Sequence, residues 1–159
     1  TIHYNAQASE LSIQSTGNGY SVSIWGKVDT LVNVERLQLG DNGAAYRLYK
    51  AAFDRKPDTV GLKYWINNLD NGATLQQVAQ GFVNSDEFKT LNPGSDTKTL
   101  INNLYLHVLH READAAGVEY WESAKANGMT TGQVLVSFSE SQENIQNAAA
   151  ELNNGVWLV

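Results

Sequence analysis

Hydrophobic and polar residues follow two different periods along this chain. In two short runs, residues 10–15 and 20–25, they alternate every second residue, which is the pattern of half-buried β-strands. The intervening Thr-Gly-Asn-Gly sequence is typical of a hairpin turn. A third strand-like run covers residues 28–39 and is followed by a Gly-Asp-Asn-Gly turn. We therefore predict a β-rich segment over residues 1–43.

After this segment the hydrophobic period changes to three or four residues, which predicts amphipathic helices. The first helix ends before Pro57, and Asp58 is placed to cap the next helix by accepting its unpaired N–H groups. Gly72 suits the left-handed conformation that commonly ends a helix. Thr74 and Gln77 have the spacing of a capping box at the start of a third helix. A short fourth helix is predicted before the sequence Asn-Pro-Gly.

The helical pattern occurs twice at a constant offset. The block RKPDTVGLKYW at residues 55–65 matches READAAGVEYW at residues 111–121, so the offset is 111 − 55 = 56 residues. The match extends without a gap on both sides and includes residue types that chance rarely repeats. The pairs include Tyr49 and Tyr105, Asp58 and Asp114, Gly61 and Gly117, Tyr64 and Tyr120, Trp65 and Trp121, Gly72 and Gly128, Thr74 and Thr130, Phe82 and Phe138, and Glu87 and Glu143.

The repeat defines the predicted fold class. We expect a mainly α fold with two tandem repeats of three to four helices, at residues 44–98 and 99–155. Tandem units of this size bury their hydrophobic faces against each other, so we expect one compact unit. The N-terminal β element is predicted to cap one end, and the apolar residues 156–159 are predicted to return as a strand that closes it.

Composition and charge exclude several classes of partner. The 11 basic residues against 17 acidic residues give a net charge of −6, and such a chain repels nucleic-acid phosphates. No apolar run approaches the ~18 residues of a membrane-spanning helix. We therefore expect neither a nucleic-acid partner nor membrane insertion. The chain begins at Thr1 without a signal segment, so we expect a segment of a larger or processed protein.

Cysteine is absent, which removes disulfides, thiolate nucleophiles and cysteine-based zinc sites together. Charged residues make up 18% of the chain, below the ~25% of typical soluble domains. Both features agree with a protein that bacteria export.

The repeated residues resemble those of a bacterial family known as domain of unknown function 4214. The resemblance covers about residues 45–153, which is roughly two thirds of the chain. It implies a helical fold and a bacterial source, and no mechanism, because the role of that family is unsettled. The residues that carry it in the first copy, each with its match in the second, are Tyr49, Arg55, Asp58, Gly61, Tyr64, Trp65, Asn71, Gly72, Phe82, Ser85 and Glu87.

Residues 28–42, which read VDTLVNVERLQLGDN, resemble the segment that often precedes such repeats in secreted RTX-type proteins. Those proteins are calcium-loaded, exported, and often act as adhesins or surface-layer proteins. The resemblance implies a secreted, cell-surface location. This chain departs from the RTX type because it has no glycine-rich calcium nonapeptide array.

Two repeated aromatic pairs are candidates for contact with a partner or ligand. Trp65 and Trp121 share a helix face with core residues, so we expect both to be buried. Tyr64 and Tyr120 lie about 100° around the helix from them, where they would be partly exposed to a glycan or protein partner. The alternative is that the tyrosines also serve only the core.

Arg55 and Arg111 are further candidates because each precedes a capping aspartate by three residues. One interpretation is contact with an anion or a partner. The other is a hydrogen bond or ion pair within the chain that fixes the turn between two helices. Repetition favours the second interpretation, since a repeated unit keeps the residues that it needs to fold.

Calcium is a possible ligand because it prefers oxygen donors. Asp41 and Asn42 offer such donors in one turn, and Asp29 lies nearby in the sequence. These three residues are therefore candidate calcium ligands, although Asp-Asn-Gly is also ordinary turn chemistry. A transition-metal site at His107 and His110 is a weaker hypothesis, because the repeat does not require histidine at either position.

The sequence contains no G-x-S-x-G, P-loop, H-E-x-x-H or G-x-G-x-x-G motif, so we predict no catalytic residue and no enzyme. We expect a non-catalytic interaction or structural module of a secreted or cell-surface bacterial protein, of adhesin or surface-layer type, that binds a protein or glycan partner. One alternative is a calcium-stabilised spacer in a larger RTX-type protein. Another is an accessory domain of a carbohydrate-active enzyme.

The calcium hypothesis predicts that the melting temperature is several degrees higher in millimolar calcium than in EDTA. An ion that binds only the native state stabilises it by about 2.7 kcal/mol at a hundredfold excess over its Kd. Thermal unfolding followed by circular dichroism measures this shift, and magnesium at the same concentration is the control. Equal melting temperatures in calcium and EDTA would show that calcium does not stabilise the native state.

Overall fold

The computed structural model describes residues 11–16, 19–24, 27–32, 42–94 and 96–152. Its three strands form an antiparallel sheet in the order β1-β2-β3. They are β1 (Leu11–Thr16), β2 (Gly19–Ile24) and β3 (Lys27–Val32).

The sheet register agrees with the predicted hairpin. Thr16 of β1 pairs with Gly19 of β2, so two residues connect these strands. The third strand is shorter than the predicted run, because β3 ends at Val32 and residues 33–41 lie outside the described part of the chain. The predicted closing strand at residues 156–159 also lies outside the described residues.

Eight helices follow the sheet in the described residues, four in each copy. Equivalent helices begin at the expected offset, as α2 and α6 do at residues 59 and 115. The prediction of a mainly α fold built from two helical repeats is therefore confirmed. The helices are α1 (Asn42–Phe53), α2 (Thr59–Asp70), α3 (Leu75–Asn84), α4 (Asp86–Leu91), α5 (Thr97–Leu109), α6 (Ala115–Ala126), α7 (Thr131–Ser139) and α8 (Gln142–Leu152).

The helix ends form as the sequence predicts. The carboxylate of Asp58 accepts a hydrogen bond from the Gly61 N–H at 2.7 Å and so satisfies one unpaired donor at the start of α2. Thr74 and Gln77 form the capping box of α3, with each side chain bonded to the other's backbone N–H. Gly72 has a φ of 92°, which favours glycine after the end of α2. Each of these features recurs in the second copy.

Both copies contribute to one hydrophobic core. Helix α3 packs against α7, and α1 packs against both of them. At the crossing of α3 and α7, a Cβ atom on Gly132 would lie 3.2 Å from the backbone N of Gln80. The largest fully buried side chains of the helical part are Leu48, Val78, Phe82, Ile101, Val134 and Leu135.

Polar contacts tie α1 of the first copy to the end of the second copy. Arg47 forms a bidentate ion pair with Glu140, which caps α7, and the Nε–Oε1 distance is 3.0 Å. Tyr46 and Lys50 both donate to the carboxylate of Glu151 in α8, at 2.8 and 2.6 Å. Partial burial and the hydrogen bond to Glu151 raise the pKa of Tyr46 to about 12.

Within the described residues, no helix has both the length and the apolar character that crossing a membrane requires.

The close crossing at Gly132 predicts that Gly132→Val destabilises the protein. The added methyl groups would push α7 away from the backbone of α3, and overpacking of this kind costs about 1–3 kcal/mol. The matched control is Gln76→Val at the equivalent position of α3, which is exposed and should cost less than ~0.7 kcal/mol. Urea unfolding measures the free energy of unfolding of both variants. An equal loss of stability in the two would show that the helices do not cross closely at Gly132.

Candidate functional site

The first predicted site residue, Arg55, is held by contacts within the chain. Its Nε and Nη2 atoms donate to the two carboxylate oxygens of Glu87 at 2.7 and 3.1 Å. The guanidinium also lies 5.0 Å from the ring centroid of Tyr49, which is a cation–π distance. Because Glu87 lies in the first turn of α4, this arrangement links the turn after α1 to α4.

The second copy repeats this geometry. Arg111 donates to Glu143 at 2.7 and 3.1 Å, and its guanidinium lies 4.8 Å from the ring of Tyr105. We call each set of tyrosine, arginine and glutamate an Arg–Glu clamp. The hydrogen bond from Arg111 lowers the pKa of Glu143.

Each clamp also touches the capping aspartate. In the first copy, Tyr49 donates through its hydroxyl to Asp58 at 3.3 Å, and Arg55 Nη1 lies 3.8 Å from the same carboxylate oxygen. The Gly61 N–H and these contacts lower the pKa of Asp58. A Cβ atom on Gly117 would lie 2.4 Å from the Tyr105 hydroxyl, which explains the glycine of the motif in the second copy.

The structure therefore accounts for Arg55 and Arg111 as parts of the fold, which was the interpretation that repetition favoured. Their contact with a partner stays a prediction, because both side chains keep more than two fifths of their surface exposed.

The tryptophans and tyrosines divide between core and surface. The ring of Trp65 packs edge-on against Phe82 at a centroid distance of 4.7 Å, and Trp121 packs against Phe138 at 5.0 Å. Both tryptophans are partly buried and pack against the core, so they lie on the core face as expected but keep part of their surface exposed. Tyr64 is 59% exposed and Tyr120 is 61% exposed.

The exposed tyrosines belong to matching rows on α2 and α6. We call these rows the outer strips, and all four positions of each are exposed to solvent. Each strip consists of three residues of the helix and its C-cap: Val60, Tyr64, Asn67 and the cap Asn71 for α2, and Ala116, Tyr120, Ser123 and the cap Asn127 for α6. On α6 the strip borders a shallow depression that Glu119 and Ala124 complete.

The described part of the structure does not test the predicted calcium site. Asp29 lies in β3 and Asn42 begins α1, but their side chains lie outside the described part, as does all of Asp41. In the part of the chain that the structure describes, no three His, Asp or Glu side chains are grouped as metal ligands would be.

The two histidines have separate positions at the end of α5. His107 faces Asp54 with 4.0 Å between Nδ1 and Oδ2, and His110 adopts a left-handed conformation at the C-cap.

The glutamates of the clamps were not predicted as site residues. The sequence did contain a signal for them, because an arginine and a glutamate 32 residues apart occur in both copies. Opposite charges that keep a fixed separation in two repeats indicate a contact between them.

The clamp predicts how stability depends on acid. The pKa of Glu143 is lower in the folded chain than in the unfolded chain, so its contribution is present near neutral pH and is lost as the pH falls through the folded pKa. Glu143→Gln should therefore reduce the stability lost between pH 7 and pH 3, by at most about 1 kcal/mol because the pair is partly exposed.

Urea unfolding at the two pH values measures this difference. Glu122→Gln, at an exposed position of α6, is the control and should leave the pH dependence closer to that of the parent chain. A Glu143→Gln variant with the parent's full acid sensitivity would contradict the predicted contribution.

Comparison with known proteins identifies the repeat. No curated protein matches this chain, and no solved structure matches it. The family described as domain of unknown function (DUF4214) matches residues 38–92 and again residues 93–148, which together make up more than two thirds of the chain. Both matched ranges begin six residues before the predicted repeats, and the RTX-type resemblance of residues 28–42 stays a hypothesis. The chain belongs to the DUF4214 family and carries two tandem copies of its domain.

Proposed function

We propose that this chain is a non-catalytic binding module of a secreted or cell-surface bacterial protein, and that the outer strips contact its partner. The observation that carries the proposal is the repeated exposure of Tyr64 and Tyr120. The other repeated aromatic residues are buried or packed against the core, so the fold explains their repetition. Core packing does not explain in the same way why a tyrosine that is more than half exposed occurs at this position in both copies.

The chemistry of the strips favours a neutral glycan. An exposed tyrosine offers an apolar ring face together with a hydroxyl group, and such side chains are common in binding surfaces. Around Tyr64 the strip holds the amides of Asn67 and Asn71, and around Tyr120 it holds the Ser123 hydroxyl and the Asn127 amide. These groups both donate and accept hydrogen bonds without charge.

The tandem arrangement gives a second reason. Two equivalent strips on one chain suit a ligand that itself repeats, as a polysaccharide does, because the second contact then forms at high effective concentration. The strips contain no charged residue, and the residue that precedes each tyrosine, outside the strips, is basic in the first copy and acidic in the second, so the two copies share no common charge preference.

A non-catalytic role agrees with the depression beside Tyr120. It is shallow, and its lining contains a single carboxylate, that of Glu119. Hydrolysis of a glycan by the common mechanism needs a pair of carboxylates on opposite sides of the bond. A chain without cysteine needs no oxidative folding after export, which suits an exported parent protein of adhesin or surface-layer type.

The proposal predicts that Tyr64→Ala and Tyr120→Ala each weaken binding to a neutral surface polysaccharide by about tenfold. This loss is expected when an aromatic ring that the bound ligand covers is removed. The double variant should lose binding, because neither strip then holds a ring. Affinity electrophoresis in gels that contain purified polysaccharide, followed by calorimetry with oligosaccharides, measures the effect.

Leu106→Ala is the matched control, because Leu106 is a large hydrophobic residue that is 53% exposed on α5, a helix that carries neither strip. It should retain full binding. Polysaccharide binding that survives the double variant would contradict the role of the strips. If the parent chain binds no polysaccharide but binds a purified surface protein through these tyrosines, the glycan assignment is wrong.

A further inference from the structure

A cavity of about 270 Å³ lies where the first copy meets the second. Residues of α3 and α4, the connection to α5, and residues of α5, α6 and α7 line it. We call it the inter-repeat cavity. One wall is apolar and includes Val83, Phe88 and Leu100. It shares no lining residue with the outer strips, so an inference about it does not rest on the proposed function.

The polar wall departs from the repeat. Lys125 and Thr131 line the cavity and are joined by a hydrogen bond of 2.7 Å between the ammonium group and the hydroxyl. The residues 56 positions earlier are Leu69 and Leu75, and both pack against the hydrophobic core. The repeat therefore folds with apolar residues at these two positions, and the polar pair in the second copy needs another explanation.

The charges in the cavity have a net positive sign, in a chain whose net charge is −6. Lys89 and Lys125 line it, against one carboxylate, that of Asp96. Asp96 already accepts hydrogen bonds from the N–H and hydroxyl of Thr99, at 3.0 and 2.7 Å, as the cap of α5. Both bonds reach the Oδ2 atom of Asp96. The two ammonium groups and this one carboxylate leave the lining with a net positive charge.

Neutral hydrogen-bonding groups surround the lysines. Asn103 donates to Asn92 at 3.3 Å, which is a long hydrogen bond that a ligand can replace, and Thr97 adds a hydroxyl group to the lining. A concave site with one apolar wall, a few amide and hydroxyl groups and a localised charge is the usual form of a small-molecule site.

We propose that the inter-repeat cavity binds a small polyhydroxylated carboxylate, of the sugar-acid class. Lys125 and Lys89 bind its carboxylate, and Asn92 and Asn103 bind its hydroxyl groups. The apolar wall packs against the face of the ring that carries C–H groups. The volume limits the ligand to about one monosaccharide unit.

The experiment measures binding of glucuronate to the whole chain by saturation-transfer NMR and calorimetry, with glucose and acetate as comparison ligands. Glucuronate should bind at least about tenfold more tightly than either, because only it offers both the carboxylate and the hydroxyl groups. Lys125→Leu should weaken glucuronate binding by about tenfold or more, and it introduces the residue that the first copy already holds at the equivalent position.

Lys63→Leu is the matched control, since Lys63 is exposed on α2 and does not line the cavity. It should bind glucuronate as the parent chain does. If Lys125→Leu does not fold by circular dichroism, Lys89→Gln on the exposed side of α4 makes the same test, with an expected loss of several-fold.

Three outcomes would overturn the proposal. One is no binding of glucuronate at tens of millimolar. Another is equal loss of binding in Lys63→Leu and in the cavity variants, which would indicate a general charge effect. The third is that inorganic phosphate or acetate binds as tightly as glucuronate, which would mean that the hydroxyl contacts are absent.

Discussion

Helices α3 and α7 hold equivalent positions in the two copies, and they pack against each other where Gly132 leaves room for the backbone of Gln80. Both helices carry fully buried apolar residues, which include Val78 in α3 and Leu135 in α7. Because α3 and α7 belong to different copies, one copy alone would expose the side of its helix that the crossing covers. Burying a fully apolar side chain of this size stabilises a protein by roughly 1.5–3 kcal/mol. The crossing therefore makes the two copies one folding unit.

Residues that repeat and residues that do not repeat have different roles in this molecule. The helix caps and the Arg–Glu clamps recur because they fix contacts inside a copy. The ion pair between Arg47 and Glu140 joins the copies, and the position equivalent to Arg47 in the second copy is Asn103, which lines the inter-repeat cavity. Where the two copies meet, equivalent residues have different neighbours, so they need not be identical. A binding site can therefore arise at this junction without changing the contacts inside each copy.

The sequence alone predicts the local structure well. The eight helices and their caps depend on residues three or four positions apart, such as Asp58 with Gly61 and Thr74 with Gln77, and these patterns are visible in one sequence. The outward position of Tyr64 follows in the same way from the helical period. Because the same patterns occur twice, each copy supports the interpretation of the other.

Contacts between distant residues could not be predicted in the same way. The partner of Arg55 depends on where α4 lies relative to α1. The capping patterns do not give that direction, and only the repeated 32-residue separation indicates Glu87. The partial exposure of Trp65 has the same origin, because it depends on how the indole ring lies relative to Phe82 of α3. The inter-repeat cavity depends on five helices together, so neither its existence nor the pairing of Lys125 with Thr131 is visible in the sequence.

The core also determines how the exposed tyrosines are presented. In the first copy, Phe82 holds Trp65 edge-on, and Trp65 in turn holds Tyr64 edge-on at a centroid distance of 4.9 Å. The second copy has the same series of rings, and Tyr120 lies 5.0 Å from Trp121. A ring supported in this way has fewer orientations in the free protein, so less conformational entropy is lost when a partner binds to it. Thus the packing that stabilises the repeat also prepares the surface on which the proposed function depends.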